Sequence, residues 1–533
     1  MTIRMAGLAL LFINPAVSAQ QIVPCEIVVP ILDANHKVLT AGAPDGHSYP
    51  IFQTAPPSKL VADVRRELET SFAQQVLRLD RYARNLMIAK ATEAHRSNEE
   101  RLTAPMYLLM SNEEGGFARF GFWLRDASKK KRLVMSGYVD LVVGDDCSQG
   151  CIDGIFSHEL GHLILQTLAG DFHDGPARKM HQSMTVTDYP TAFDEGYAEH
   201  FEVLTSDTHT RKQPSDTIAT DFDLFWVSAA DGELRSDGVR RNLFIHRKPL
   251  PGMAFDSNPE PYRLFLDAET LTIFFPSELK NGQQMMASEG VVSTLFYRMV
   301  TDEKLRSHYR EPSFYRPFLQ GDVAQPEKTI SPYDNINLKL FAAMTELRGL
   351  KSDQPPMIRL VERYAQLFPD EARRIYGDFI ATTWGATASQ QLASELVRLA
   401  SDGARGDRVA FQKDDTSSFS STIGEVTDGK LALDGNLGPE LWLVNSQFKI
   451  ASSAWGTERR LPLTINLNTA TEPELMTIAG LDLAAARKII AVRNGRGFFR
   501  GWDDLGPLLS PEVMLRLKSM SEEMKQLPPY QRY

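Results

Sequence analysis

Residues Ser157-His158-Glu159-Leu160-Gly161-His162 set an H-E-x-x-H pentad inside an apolar run, and no other stretch of the 533-residue chain constrains it as tightly. On a helix, positions i and i+4 share a face, so His158 and His162 can both point at one metal ion. Neutral imidazole nitrogens at about 2.0–2.1 Å suit Zn²⁺, and Glu159, one residue on, can reach a water on that metal. Ile155, Phe156, Leu163, Ile164, Leu165 and Leu168 supply the apolar positions of such a helix, and Gly170 supplies its stop. The bland alternative is a buried helix whose histidines are only hydrogen-bonded.

A catalytic zinc takes three protein side chains and leaves one position open. The extended metzincin pattern needs glycine at 165 and histidine at 168; this chain has Leu165 and Leu168, so that pattern fails. Downstream, Phe193-Asp194-Glu195-Gly196-Tyr197-Ala198-Glu199-His200-Phe201 is an acidic helical stretch. Pentad and acidic stretch together resemble the gluzincin peptidases, in which a Glu in an Asn/Asp-Glu-Gly-x-Ala setting completes the site. By that resemblance Glu195 is the third ligand, and Glu199 is the acidic residue that orients a zinc-bound histidine. Thirty-two residues separate His162 from Glu195, a longer connector than is usual in that clan. Glu199 itself and the inserted His173 and His181 remain competing ligands. No motif marks the group that stabilises the oxyanion, for which Tyr297, Tyr262 and His246 are the candidates.

The resemblance implies an α+β, zincin-like metallopeptidase: a small sheet and the zinc helix, then a helical half, over residues 20–401. The implied reaction is hydrolysis of a peptide or protein substrate through a zinc-bound water, with Glu159 as general base. It also implies that one strand, within 118–124 or 132–143, is a sheet edge that pairs with extended substrate.

Size allows two or three domains. Hydrophobic content of 43% and charged content of 24% are those of an ordinary globular protein. A formal net charge of −10 excludes a protein that coats nucleic acid, though not a small DNA-contacting module. Residues 1–19 read as a secretory signal: Arg4, then apolar Met5 to Ile13, then Val17-Ser18-Ala19 before Gln20. Export to the periplasm or the medium is therefore expected. No stretch approaches eighteen apolar residues, so no transmembrane segment is expected. Cys25, Cys147 and Cys151 then imply one disulfide and one free thiol, with Cys147–Cys151 or a bridge from Cys25 as the pairings.

Periodicity predicts a strand or hairpin over 26–40, helix over 58–96, and strands at Met106–Met110, Ala118–Leu124 and Arg132–Val143. Helix is predicted over 191–206, 288–301 and 357–400. Residues 402–423 read as a linker and 424–460 as a small β-rich segment, together one stretch from 402 to 460.

The tail differs. Ile465-Asn466-Leu467-Asn468-Thr469-Ala470, then Glu474 to Asp482, then Ala485 to Phe499, resemble the helix-hairpin-helix domain of bacterial competence-type DNA-binding proteins. That resemblance implies a small all-α domain over 461–520, with 521–533 as a tail. In the family, a Gly-x-Gly hairpin offers backbone N–H groups to a DNA phosphate. Here Gly480 is kept, but Asp482 stands where the second glycine would be. Residues 463–520 carry seven Lys/Arg against six Asp/Glu, leaving Arg487, Lys488, Arg493 and Arg496 as a possible basic face. A second functional reading follows: a non-catalytic exported adaptor that binds DNA or a protein partner through this domain. Substrate identity and oligomeric state are not legible in the sequence.

Overall fold

The computed structural model describes residues 22–70, 72–91, 102–111, 116–143, 152–170, 183, 186–208, 235–236, 238–240, 242–245, 279–321, 323–351, 354–396, 420–454 and 457–526. Residues 1–19, Cys147, Cys151, His173, His181, His246, Tyr262 and most of the 402–423 linker lie outside the described residues.

Six strands form the first sheet: β1 (Cys25–Pro30), β2 (Thr40–Gly42), β3 (Ser48–Thr54), β4 (Met106–Ser111), β5 (Gly116–Arg125) and β6 (Lys131–Val142). Their order is β1-β4-β6-β5-β3-β2, and β1 also bonds β3 through Val28–Pro30 against Phe52–Thr54. That extra pairing closes β1, β4, β6, β5 and β3 into a ring. All five contribute to one buried cluster of Val28, Phe52, Tyr107, Leu109, Phe122, Val134 and Tyr138. Phe52 and Phe122 stack at 5.0 Å, and Tyr107 and Tyr138 meet Phe122 edge-on at 4.9 and 5.3 Å. Such ring pairs each add about 0.5–1.5 kcal/mol beyond the area they bury.

The expected strands are present with ends shifted by a residue or two. The expected substrate edge is narrower. β6 is bonded to β5 from Lys131 to Leu141 but to β4 only from Tyr138 to Val142, so only the Tyr138–Leu141 part is flanked on both sides in the described registers. β5 meets β3 only from Trp123 to Arg125, whereas Gly116 to Phe120 pair with β6 alone among the described registers. A bulge separates the two halves at Gly121, whose φ of +80° and crowding by the Tyr49 ring require a residue without Cβ.

The long helical stretch after Pro57 is two helices, α1 (Lys59–Thr70) and α2 (Phe72–Lys90). On α2, Asp80 and Arg84 are buried as an ion pair at 2.8 Å, and Arg84 also donates to Ala104 O and Ser136 Oγ. Asn85 donates to Phe318 O of the helix Pro312–Leu319 at 2.7 Å, which ties α2 to that helix.

Helix α3 (Asp153–Ala169) carries the pentad. Phe156, Leu160, Leu163, Ile164, Leu165 and Leu168 are all buried, and Gly170 ends the helix at φ +85°. Helix α4 (Tyr189–Thr208) follows, capped by Asp188 Oδ1, which accepts from Thr191 N at 3.0 Å.

Two compact units divide the chain, and the division falls within α3 and α4. The first (Met1–Thr167, Phe201–Arg211, Asp302–Leu338) holds the sheet, α1 and α2. The second (Leu168–His200, Lys212–Thr301, Lys339–Tyr533) holds α5 (Gly282–Met286), α6 (Glu289–Thr301), α7 (Pro356–Leu367) and α8 (Ala372–Thr383). The predicted helix 357–400 is broken because Pro369 follows the end of α7 at Phe368.

Further along the second unit come α9 (Ser420–Thr427), the hairpin β7 (Trp442–Ala454) and β8 (Thr457–Asn466), then α10 (Glu472–Met476), α11 (Leu483–Arg496) and α12 (Pro511–Gln526). Leu441, Leu443, Leu463 and Ile465 share one core with Leu475, Ile478, Ile489, Phe499 and Leu517. The hairpin, grouped with the linker on sequence, thus packs with the helices that follow it. Among the described residues no helix is long and apolar enough to cross a membrane.

Candidate metal centre

Helix α3 turns His158 and His162 toward each other, with Nε2 atoms 3.2 Å apart and rings 75° from coplanar. Two nitrogen donors on one tetrahedral zinc, each at 2.0–2.1 Å, lie about 3.3 Å apart. The imidazoles therefore already stand at the spacing a shared ion requires. One ligand atom from each of His158, His162 and Glu195 falls within 4.8 Å of the others, and among the described residues no other such group of three exists. Two imidazoles and a carboxylate are a donor set suited to zinc, so the residues present fit that ion.

Glu195 sits where α4 is pressed against α6. A Cβ on Gly196 would lie 2.7 Å from Glu289 O and 2.7 Å from Val292 Cβ, so only glycine permits this approach. Ala192, Phe193, Tyr197, Ala198 and Phe201 bury the same helix almost completely. The Glu-Gly-x-Ala pattern thus encodes a close helix crossing that holds Glu195 in place.

Glu159 is buried, and Gly116 at the start of β5 lies against its side chain. A Cβ there would come within 2.9 Å of Glu159 Oε1 and 2.5 Å of Ile155 Cγ2. The one-sided segment of β5 therefore begins beside the carboxylate expected to act as base.

The carboxylate found against His158 Nδ1 is Glu202, whose Oε1 lies 2.6 Å away. The sequence reading assigned a histidine-orienting role to Glu199. Glu199 is wholly buried, with Oε1 3.9 Å from Arg235 Nε, and that guanidinium also donates to Ser183 Oγ at 3.2 Å. The signal for Glu202 was available: 195, 199 and 202 follow i, i+4, i+7 spacing along one helical stripe. Of the oxyanion candidates only Tyr297 is described, half-buried on α6.

In the tail, Gly480 adopts φ +93° and Asp482 caps α11 by accepting from Ala485 N. The expected basic face is largely committed. Arg487 pairs with Glu472 at 2.9 Å and Arg496 with Asp504 at 2.7 Å. Arg493 is buried and donates to Leu467 O and Ala470 O. Buried Asn281 and Gln283 of the α5 segment reach the same module. Asn281 Nδ2 donates to Asn468 O and Gly497 O, and Gln283 Oε1 accepts from Asn466 Nδ2 at 3.2 Å.

Residues 463–508 match the family described as helix-hairpin-helix motif. No curated protein and no solved structure matches the chain.

Proposed function

We propose that this chain is an exported zinc-dependent peptidase whose centre is His158, His162, Glu159 and Glu195. The observation that carries the reading is the 3.2 Å approach of the two Nε2 atoms with the Glu195 carboxylate alongside. Bound zinc would supply Lewis acidity, lowering the pKa of a water and polarising the scissile carbonyl. His158 and His162 would hold the ion through Nε2, and Glu195 through a carboxylate oxygen. Glu159 would take a proton from the attacking water and deliver it to the leaving amine.

The unshared side of Gly116–Phe120 has backbone groups of the kind an extended peptide pairs with. Peptide or protein is accordingly the proposed substrate. Export rests on the pattern of residues 1–19. Glu159→Gln tests the reading: the variant should keep its zinc and lose peptide cleavage, and normal cleavage by it would remove the proposal.

A second reading, an adaptor acting through the helix-hairpin-helix motif, is favoured by the match at 463–508. Asp482 at the hairpin and the pairing of Arg487 and Arg496 oppose a phosphate-binding role. The hydrogen bonds that Asn281 and Gln283 make with Asn468 and Asn466 support a scaffold role within the second unit instead. A band-shift titration of the whole protein across salt separates the two, since DNA binding would be tight and salt-steep.

A further inference from the structure

We propose that Glu202 is a positioning residue that fixes the tautomer and ring plane of His158 for metal binding, an inference that rests on the zinc reading above. An imidazole carries one proton when neutral, and whichever nitrogen donates it leaves the other with the lone pair a metal needs. Glu202 Oε1 stands 2.6 Å from Nδ1, off the line of an Nδ1–H hydrogen bond, and a carboxylate at that distance favours the proton on Nδ1 and leaves Nε2 as the donor atom. Nε2 is the atom that faces His162 Nε2 at 3.2 Å. The two contacts lie on opposite nitrogens of one ring, as a ligand and its orienting carboxylate require.

Helix α4 makes this arrangement economical. Seven residues advance an α-helix by about 700°, nearly two full turns, so Glu195 and Glu202 project from the same stripe. One helix then contributes both a metal ligand and the carboxylate that aims another. Glu202 is one-quarter exposed and His158 about one-eighth, so the contact is shielded without being sealed. A histidine held this way loses little freedom when the ion binds, and loss of such a partner weakens metal affinity by about 10–100-fold.

The test uses full-length protein with zinc or cobalt as the probe. Zinc affinity is measured by chelator competition for wild type, Glu202→Ala, Glu202→Gln, Glu199→Gln and Glu195→Ala, with thermal melting of each metal-free protein alongside. The expected result is a loss of about 10–100-fold for Glu202→Ala. A smaller loss is expected for Glu202→Gln, which keeps an oxygen acceptor, with metal-free melting unchanged in both. The visible bands of the cobalt-loaded Glu202→Ala protein should also shift, which a purely structural contact would not produce. Should Glu202→Ala fail to fold, the affinity and cobalt bands of Glu202→Gln decide. Wild-type affinity and spectrum in the Glu202 variants would overturn the inference, as would weakening by Glu199→Gln alone. Absence of zinc binding in wild type would instead remove the peptidase reading itself.

Discussion

Gly196 of α4 and Glu289 of α6 are in such close contact that a Cβ on the glycine would stand 2.7 Å from the Glu289 carbonyl oxygen. Real Cβ atoms do not approach backbone oxygen so closely, and backbone cannot swing aside as a side-chain tip can. Gly196→Ala must therefore push α4 away from α6, and overpacking of this kind costs about 1–3 kcal/mol. Chemical denaturation of the variant should show that loss. Because Glu195 precedes the contact, zinc affinity should fall as well.

Gly116 plays the corresponding part for Glu159. Gly116→Ala would set a methyl group 2.9 Å from Glu159 Oε1 and 2.5 Å from Ile155 Cγ2. Either side chain must move, and displacing a catalytic group by about 1 Å can cost 10²-fold in rate. The expected outcome is zinc binding close to wild type with cleavage reduced by that order. Equal loss of zinc and cleavage would show that the helix, not the carboxylate, had shifted.

Much of this was legible beforehand, for local reasons. Alternating apolar residues located β4, β5 and β6, and the apolar stripe around His158 located α3, because each signal is carried by neighbours in sequence. The ring closure was not legible, since it depends on Val28–Pro30 meeting Phe52–Thr54 across a long turn. Glu202 was passed over because the family pattern stops at Glu199, although helical spacing points to both. In the tail the positive charges could be counted, but not the partners: Glu472 lies fifteen residues before Arg487, and the Arg493 guanidinium is spent on backbone carbonyls.

Arg493 gives a prediction that separates scaffold from DNA-binding module. Arg493→Ala takes the guanidinium from Leu467 O and Ala470 O, at about 1–3 kcal/mol for each buried carbonyl left unpaired. The scaffold account predicts a lower melting temperature and no change in an already weak band shift. Lys488→Ala is the control, and should alter neither. A DNA-binding module would show the reverse, with weaker and less salt-dependent binding and intact stability.

Cys25 lies buried on β1 as a free thiol, and burial, helped by nearby Asp80, pushes its pKa well above the ordinary thiol value. The thiol stays protonated through pH 8, and the thiolate is the reactive form. Alkylation of native protein at that pH, read by mass spectrometry, should leave Cys25 unlabelled until denaturant is added. Rapid labelling of the native protein would contradict its place in the core.

The central claim is the three-residue centre, and metal content tests it most directly. Purified, metal-replete wild type and Glu195→Ala are analysed for bound metal by mass spectrometry. The account predicts one zinc per chain in wild type, lost or much weakened in the variant, with His158 and His162 still adjacent on α3. A wild-type protein that binds no zinc would contradict it, and would leave the pentad as a buried helix whose paired imidazoles serve packing alone.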